Sequence, residues 1–121
     1  MTTAAAPGLA AWLLPPLLLL ASNVFMTFAW YGHLKFKATP ILVVIVASWG
    51  IAFFEYCLAV PANRIGHAVY SAAELKTMQE VITLGIFAVF SAYYLDEPLA
   101  FSQILGFALI AGGAALVFFK P

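Results

Sequence analysis

The sequence predicts an all-α protein, a single bundle of four transmembrane helices spanning residues 1–121 with almost no water-soluble part. Three observations carry that prediction: 65% of the 121 residues are hydrophobic, only 8% are charged, and the apolar residues gather into long stretches. Each stretch is near the roughly 20 residues that cross about 30 Å of hydrocarbon at about 1.5 Å of rise per residue. A soluble core of this length needs a charged coat, and five Lys or Arg with five Asp or Glu do not supply one. The solvent for most of the surface is therefore expected to be the lipid bilayer. Strands are not expected, because a period of two is nowhere sustained and a membrane barrel needs a closure that so short a chain does not reach alone.

The first span is read from about Leu9 to Tyr31, ending at the basic loop His33, Leu34, Lys35, Phe36, Lys37, with Trp30 and Tyr31 suited to an interfacial aromatic belt. It is not expected to be a cleaved secretory leader, since no basic segment precedes it and Ala21, Ser22, Asn23 make a poor cleavage site. The second runs from about Pro40 to Val60, with Pro40 in the first turn and Pro61 expected to stop the helix. The longest polar passage follows, Pro61 to His67.

The third, residues 70–95, enters through a polar end carrying Glu74, Lys76, Gln79 and Glu80 before the apolar run Val81 to Leu95. Asp96, Glu97 and Pro98 turn the chain into the fourth span, Phe101 to Phe119, with Ser102 as a candidate cap and Lys120 and Pro121 closing it.

Four spans place both termini on one side, with Arg64 and Lys120 facing one compartment and Lys35 and Lys37 the other. So small a bias leaves orientation open. Either a feature of a loop or terminus decides it, or copies insert both ways and pair antiparallel.

Chemistry is expected where polar groups are expensive in lipid. Glu55 would lie about 7.5 Å of rise from the end of a span closing at Val60, and a carboxylate inside a span costs a few kcal/mol unless protonated, paired or hydrated. Neither Ile51 nor Ala59, one turn away on its own helix, offers it a partner. Glu80 is expected at comparable depth on the same side. Ala73, Lys76, Glu80, Thr83 and Phe87 share one helical face beside Gln79, and Lys76 with Glu80 make an i, i+4 pair. That pair reads either as a neutralising structural bridge or as part of a solute-binding or proton-binding face.

In the first span Asn23, Thr27 and the Trp30, Tyr31 pair form a polar and aromatic stripe, whose plainer role is hydrogen bonding to a neighbouring helix. The functional alternative is a cavity lined by Asn23, Trp30, Tyr31, Glu55 and Glu80, suited to a cationic or amphipathic solute. In the fourth span, Ala108 with Gly112 and Ala111 with Ala115 are small-xxx-small pairs that permit a homodimer interface.

Other classes find little support. Zero net charge gives no sign of a nucleic-acid partner or of strong attraction to acidic lipid headgroups, and the single cysteine, Cys57, allows no intrachain disulfide. Cys57, His67, Glu55 and His33 do not make a metal-ligand spacing. No phosphate loop, nucleophile elbow or zinc-protease motif is present. Neither an enzyme, a metal nor another cofactor is expected.

The run Ser71 to Leu75, Glu80 to Ile82, Tyr94 to Leu99, Gln103 to Gly106 and Ala111 to Gly113 looks like the closing helix pair of the drug/metabolite transporter superfamily. In that pattern an acid opens one helix and a Gly-Glu-x-Leu turn leads to the next. Glu80 matches the opening acid and Glu97 the turn acid, while Asp96 replaces the usual glycine and Val81 a frequent proline. The segments Phe28 to Leu34 and Phe54 to Gly66 more closely resemble a family of four-span bacterial inner-membrane proteins of unassigned function within that superfamily. The chain is also similar in size to the small multidrug resistance transporters, antiparallel dimers that exchange protons for cationic drugs through a first-helix glutamate. Its own first span has no acid, so analogous coupling falls to Glu55 or Glu80.

The resemblance thus implies a dimeric, proton-coupled exporter or exchanger of a small solute, with a cation as one candidate. The rival expectation is a non-transporting subunit whose deep polar residues fix packing against a larger partner.

Overall fold

The computed structural model describes residues 8–119. Four α-helices follow one another, α1 (Leu9–Tyr31), α2 (Ile41–Gly66), α3 (Ala72–Tyr93) and α4 (Phe101–Phe118), with a short 3-10 helix, Gly32–Lys35, after α1. All four are long and apolar enough to cross a membrane, and no strand occurs among the described residues. The expected closure by Lys120 and Pro121 lies outside the described residues.

The largest departure from expectation is in α2, which does not stop at Val60 but continues through Pro61 to Gly66. A proline removes one backbone donor and crowds the preceding turn, which normally breaks a helix in water; membrane helices tolerate it where neighbours hold the segment. Here Ala59, Ala62 and Gly66 are buried on one face, and Ala59 and Ala62 form the bundle's core with Leu19 of α1. Small side chains at this spacing let two helix backbones approach closely. That docking, rather than local propensity, carries α2 past the proline.

α1 is central, packing along α2 and against α3, whereas α4 packs chiefly on α3. The α1–α2 pair is antiparallel, with Phe25 stacked on Phe54 at 6.0 Å between ring centroids. At one end Tyr70 donates its hydroxyl to the Trp12 carbonyl at 2.8 Å and meets the Trp12 ring edge-on. At the other, Phe28 contacts both Phe90 and Tyr94, and the Lys35 ammonium sits 4.3 Å from the Tyr94 ring centre. Aromatic groups at both ends of the bundle fit two membrane interfaces. Between them the outside is apolar: Trp49 is 75% exposed and no residue of α4 is buried. Such a surface is stable against acyl chains.

α3 begins at a reciprocal cap. The Glu74 N–H donates to Ser71 Oγ at 3.1 Å and the Ser71 N–H donates to Glu74 Oε1 at 2.8 Å, satisfying two donors the first turn leaves without helical partners. α4 begins differently from expectation. Its N-cap is Ala100, with Ser102 inside the first turn, and Gln103 Oε1 accepts from the Ala100 N–H at 2.9 Å.

The α3–α4 turn contains Asp96 at φ 57°, left-handed backbone that costs most L-residues about 1–2 kcal/mol and glycine almost nothing. This gives a physical reason for the glycine usual at this point of the related pattern. Ser91 secures the turn, its Oγ donating to the Glu97 carbonyl at 2.6 Å while the Glu97 N–H donates to the Ser91 carbonyl at 2.8 Å. Asp96→Gly is expected to leave stability unchanged or raise it by up to about 1 kcal/mol, and Asp96→Val to lower it by about 1–2 kcal/mol. Unfolding curves of the two variants in detergent check the opposite signs.

Candidate functional site

The stripe on α1 proves to be a packing seam. Ser22, Asn23 and Thr27 are all buried. Asn23 Nδ2 donates to the Leu19 carbonyl at 2.7 Å, the Asn23 carbonyl accepts from Thr27 Oγ1 at 2.7 Å, and Ser22 Oγ donates to the Leu19 carbonyl at 3.0 Å. Across the helix boundary Thr83 Oγ1 of α3 donates to Asn23 Oδ1. Asn23 is thus engaged on both amide atoms and ties α1 to α3 near mid-bundle. Hydrogen bonds between membrane helices are worth about 0.6 kcal/mol on average and up to about 1.7. Thr83→Val, which keeps the shape and removes the donor, is expected to lower stability within that range in a detergent unfolding titration.

Farther along, Tyr31 meets the Phe87 ring edge-on at 5.0 Å between centroids, whereas Trp30 points outward at 67% exposure. The α3 face divides in the same way. Thr83 and Phe87 turn toward α1, while Lys76 and Glu80 lie exposed and paired at 3.2 Å.

Glu55 is placed differently from every other acid. With α2 continuing to Gly66, it stands about 16 Å of rise from that helix end rather than about 7.5 Å, close to the middle of the span. Glu80, about 12 Å from the start of α3, is shallower. The two acids therefore do not sit at comparable depth. Glu55 is half-buried and no described residue gives its carboxyl group an ion pair or hydrogen bond. It borders a cavity of about 440 Å³ lined by Trp49, Gly50, Ala52, Phe53 and Tyr56, all of α2. One helix provides every wall, so the cavity opens away from the bundle.

The six positions singled out from sequence therefore do not converge within one copy of the chain. Asn23 is in the α1–α3 seam, Tyr31 in the aromatic end, Trp30 outside, and Lys76 with Glu80 on the α3 surface. A separate cavity of about 540 Å³ between α1 and α3 is almost wholly apolar, with Leu20, Phe28, Ile86 and Tyr93 in its lining. Among the described residues no group of three or more His, Cys, Asp and Glu is placed to hold a metal ion.

Two surface features escaped the sequence reading. The aromatic companions of Glu55, namely Trp49, Phe53 and Tyr56, were legible as i±1 to i±6 neighbours but do not stand out in a span rich in aromatics. The groove between the end of α2 and the start of α3, where Asn63, Arg64, His67 and Lys76 meet, depended on α2 reaching Gly66.

Comparison with known proteins gives one family. A model named DMT_6, described as "Putative member of DMT superfamily (DUF486)", matches residues 15–118. Neither the curated proteins nor the solved structures contain a match to the chain. The matched span includes α2, α3 and α4 entire and most of α1.

Proposed function

The chain belongs to this DMT family, which makes it a transporter-like multi-pass membrane protein, and from that membership we propose that it exchanges protons for a small cationic solute at Glu55. The observation that carries the proposal is the position of Glu55: mid-span, without a partner among the described residues, on an open aromatic face. A carboxyl group in hydrocarbon is costly unless it is protonated, paired or hydrated. In one state the neutral acid keeps its proton. In the other a cation enters, the O–H bond breaks, the proton leaves to water, and the carboxylate pairs with the cation. Trp49, Phe53 and Tyr56 supply ring faces that attract a desolvated cation by about 0.5–2 kcal/mol each. Glu80 ranks behind Glu55 because Lys76 already compensates it.

The missing wall of the Glu55 cavity is supplied by a second copy, in a homodimer in the bacterial inner membrane. An added Cβ at Gly106, Gly112 or Gly113 of α4 meets nothing within 4 Å, so these glycines are open for contact with that copy, whereas Ala108 and Ala111 border α3. Arg64 stands at one end of the bundle and Lys35 at the other, a balance in keeping with antiparallel pairing.

The internal pairing of Asn23 with Thr83 and of Lys76 with Glu80 favours one rival, a non-transporting subunit in which polar groups serve packing. Proton release on adding solute to purified protein in weakly buffered detergent separates the two. Release with organic cations and none with neutral metabolites is expected. Silence from a folded dimer across a broad panel transfers the reading to the structural subunit.

A further inference from the structure

Where α2 ends and α3 begins, a groove of about 510 Å³ is lined by Val60, Asn63, Arg64, His67, Leu75 and Lys76, among others. It lies at the end of the bundle marked by Trp12 and Tyr70, the position of a membrane interface. Its floor is apolar and its rim is basic. We propose that this groove binds the phosphodiester headgroup of an anionic phospholipid.

Arg64 makes no ion pair among the described residues, and its planar guanidinium presents paired donors that match two phosphate oxygens. Lys76, on the facing helix, is bound among the described residues to Glu80 alone, at 3.2 Å, leaving two ammonium hydrogens for a second contact. His67 donates Nδ1–H to the Tyr70 carbonyl at 3.2 Å, which fixes its ring beside the rim, and the Asn63 side chain adds an amide donor. Leu75 forms the floor beside Lys76, and Val60, one turn before Arg64 on α2, extends it toward the bilayer interior, where the glycerol and first acyl carbons of a lipid lie. A free phosphate ion gains nothing from such a floor. Basic pockets between helices at an interface are a recurrent form of headgroup recognition, and here the ligand also bridges α2 and α3, which otherwise share little contact.

The probe is dioleoyl phosphatidylglycerol titrated into the protein in dodecyl maltoside, read by thermal unfolding and by native mass spectrometry of retained lipid. Phosphatidylglycerol is expected to raise the unfolding temperature and remain bound, while phosphatidylcholine and inorganic phosphate at equal concentration do neither. Arg64→Gln and Lys76→Gln are each expected to weaken apparent lipid affinity about fivefold. Both side chains are exposed, so the variants retain the fold. Lys35→Gln, at the opposite end, is expected to leave affinity unchanged. Equal protection by inorganic phosphate overturns the lipid assignment, and undiminished phosphatidylglycerol binding by both groove variants overturns the site.

Discussion

Glu55→Gln is expected to abolish solute-induced proton release and to leave the unfolding midpoint of the protein almost unchanged. Both halves of this expectation come from the same geometry. The carboxyl group makes no ion pair or hydrogen bond among the described residues, so a neutral amide of nearly equal volume breaks no described contact, and the change in stability is expected to stay within about 0.5 kcal/mol. Exchange, in contrast, requires a group that surrenders its proton when a cation arrives. Glutamine has none. Glu80→Gln is expected to give the complementary result, losing the i, i+4 bridge to Lys76 while proton release persists. If release survives Glu55→Gln and vanishes with Glu80→Gln, the coupling group lies on α3 instead.

Gly66→Ala carries the largest expected loss of stability. A Cβ at Gly66 lies 2.7 Å from Leu75 Cδ2 and 3.1 Å from both Cβ and Cγ of Pro15. Leu75 is 4% exposed and has little room to rotate away, and the Pro15 ring is held in α1 by its own backbone. The added methyl group must push α1, α2 and α3 apart where they meet, and overpacking of this kind costs about 1–3 kcal/mol. Gly50→Ala is the control, since nothing lies within 4 Å of a Cβ there. The two substitutions change the same residue type on the same helix, so unequal losses in a detergent unfolding titration report the three-helix junction.

Four helices were legible because hydrocarbon thickness imposes a length that composition reveals directly, and α1 begins and ends where its apolar run does. The end of α2 was not legible. Pro61 is a stop signal for an isolated helix, and only the contact of Ala59, Ala62 and Gly66 with α1 overrides it. The cap formed by Ser71 and Glu74 had a sequence signature, serine three residues before glutamate, but it lay in a stretch read as the polar entry to a span. Asn23 was legible as a deep polar group, whereas its partner Thr83, 60 residues away, required the α1–α3 packing. For Glu55 the sequence showed that no partner stood one turn away on α2. That no partner comes from α1, α3 or α4 either depends on how the helices are arranged around it.

The most direct test of proton-coupled carriage at Glu55 is uptake of a radiolabelled organic cation into proteoliposomes with an acidic interior. The wild-type protein is expected to accumulate the cation until the proton gradient collapses, and Glu55→Gln, reconstituted to the same density, is expected to accumulate none. Equal accumulation by the two proteins, or none by either across a panel of cations, contradicts the account.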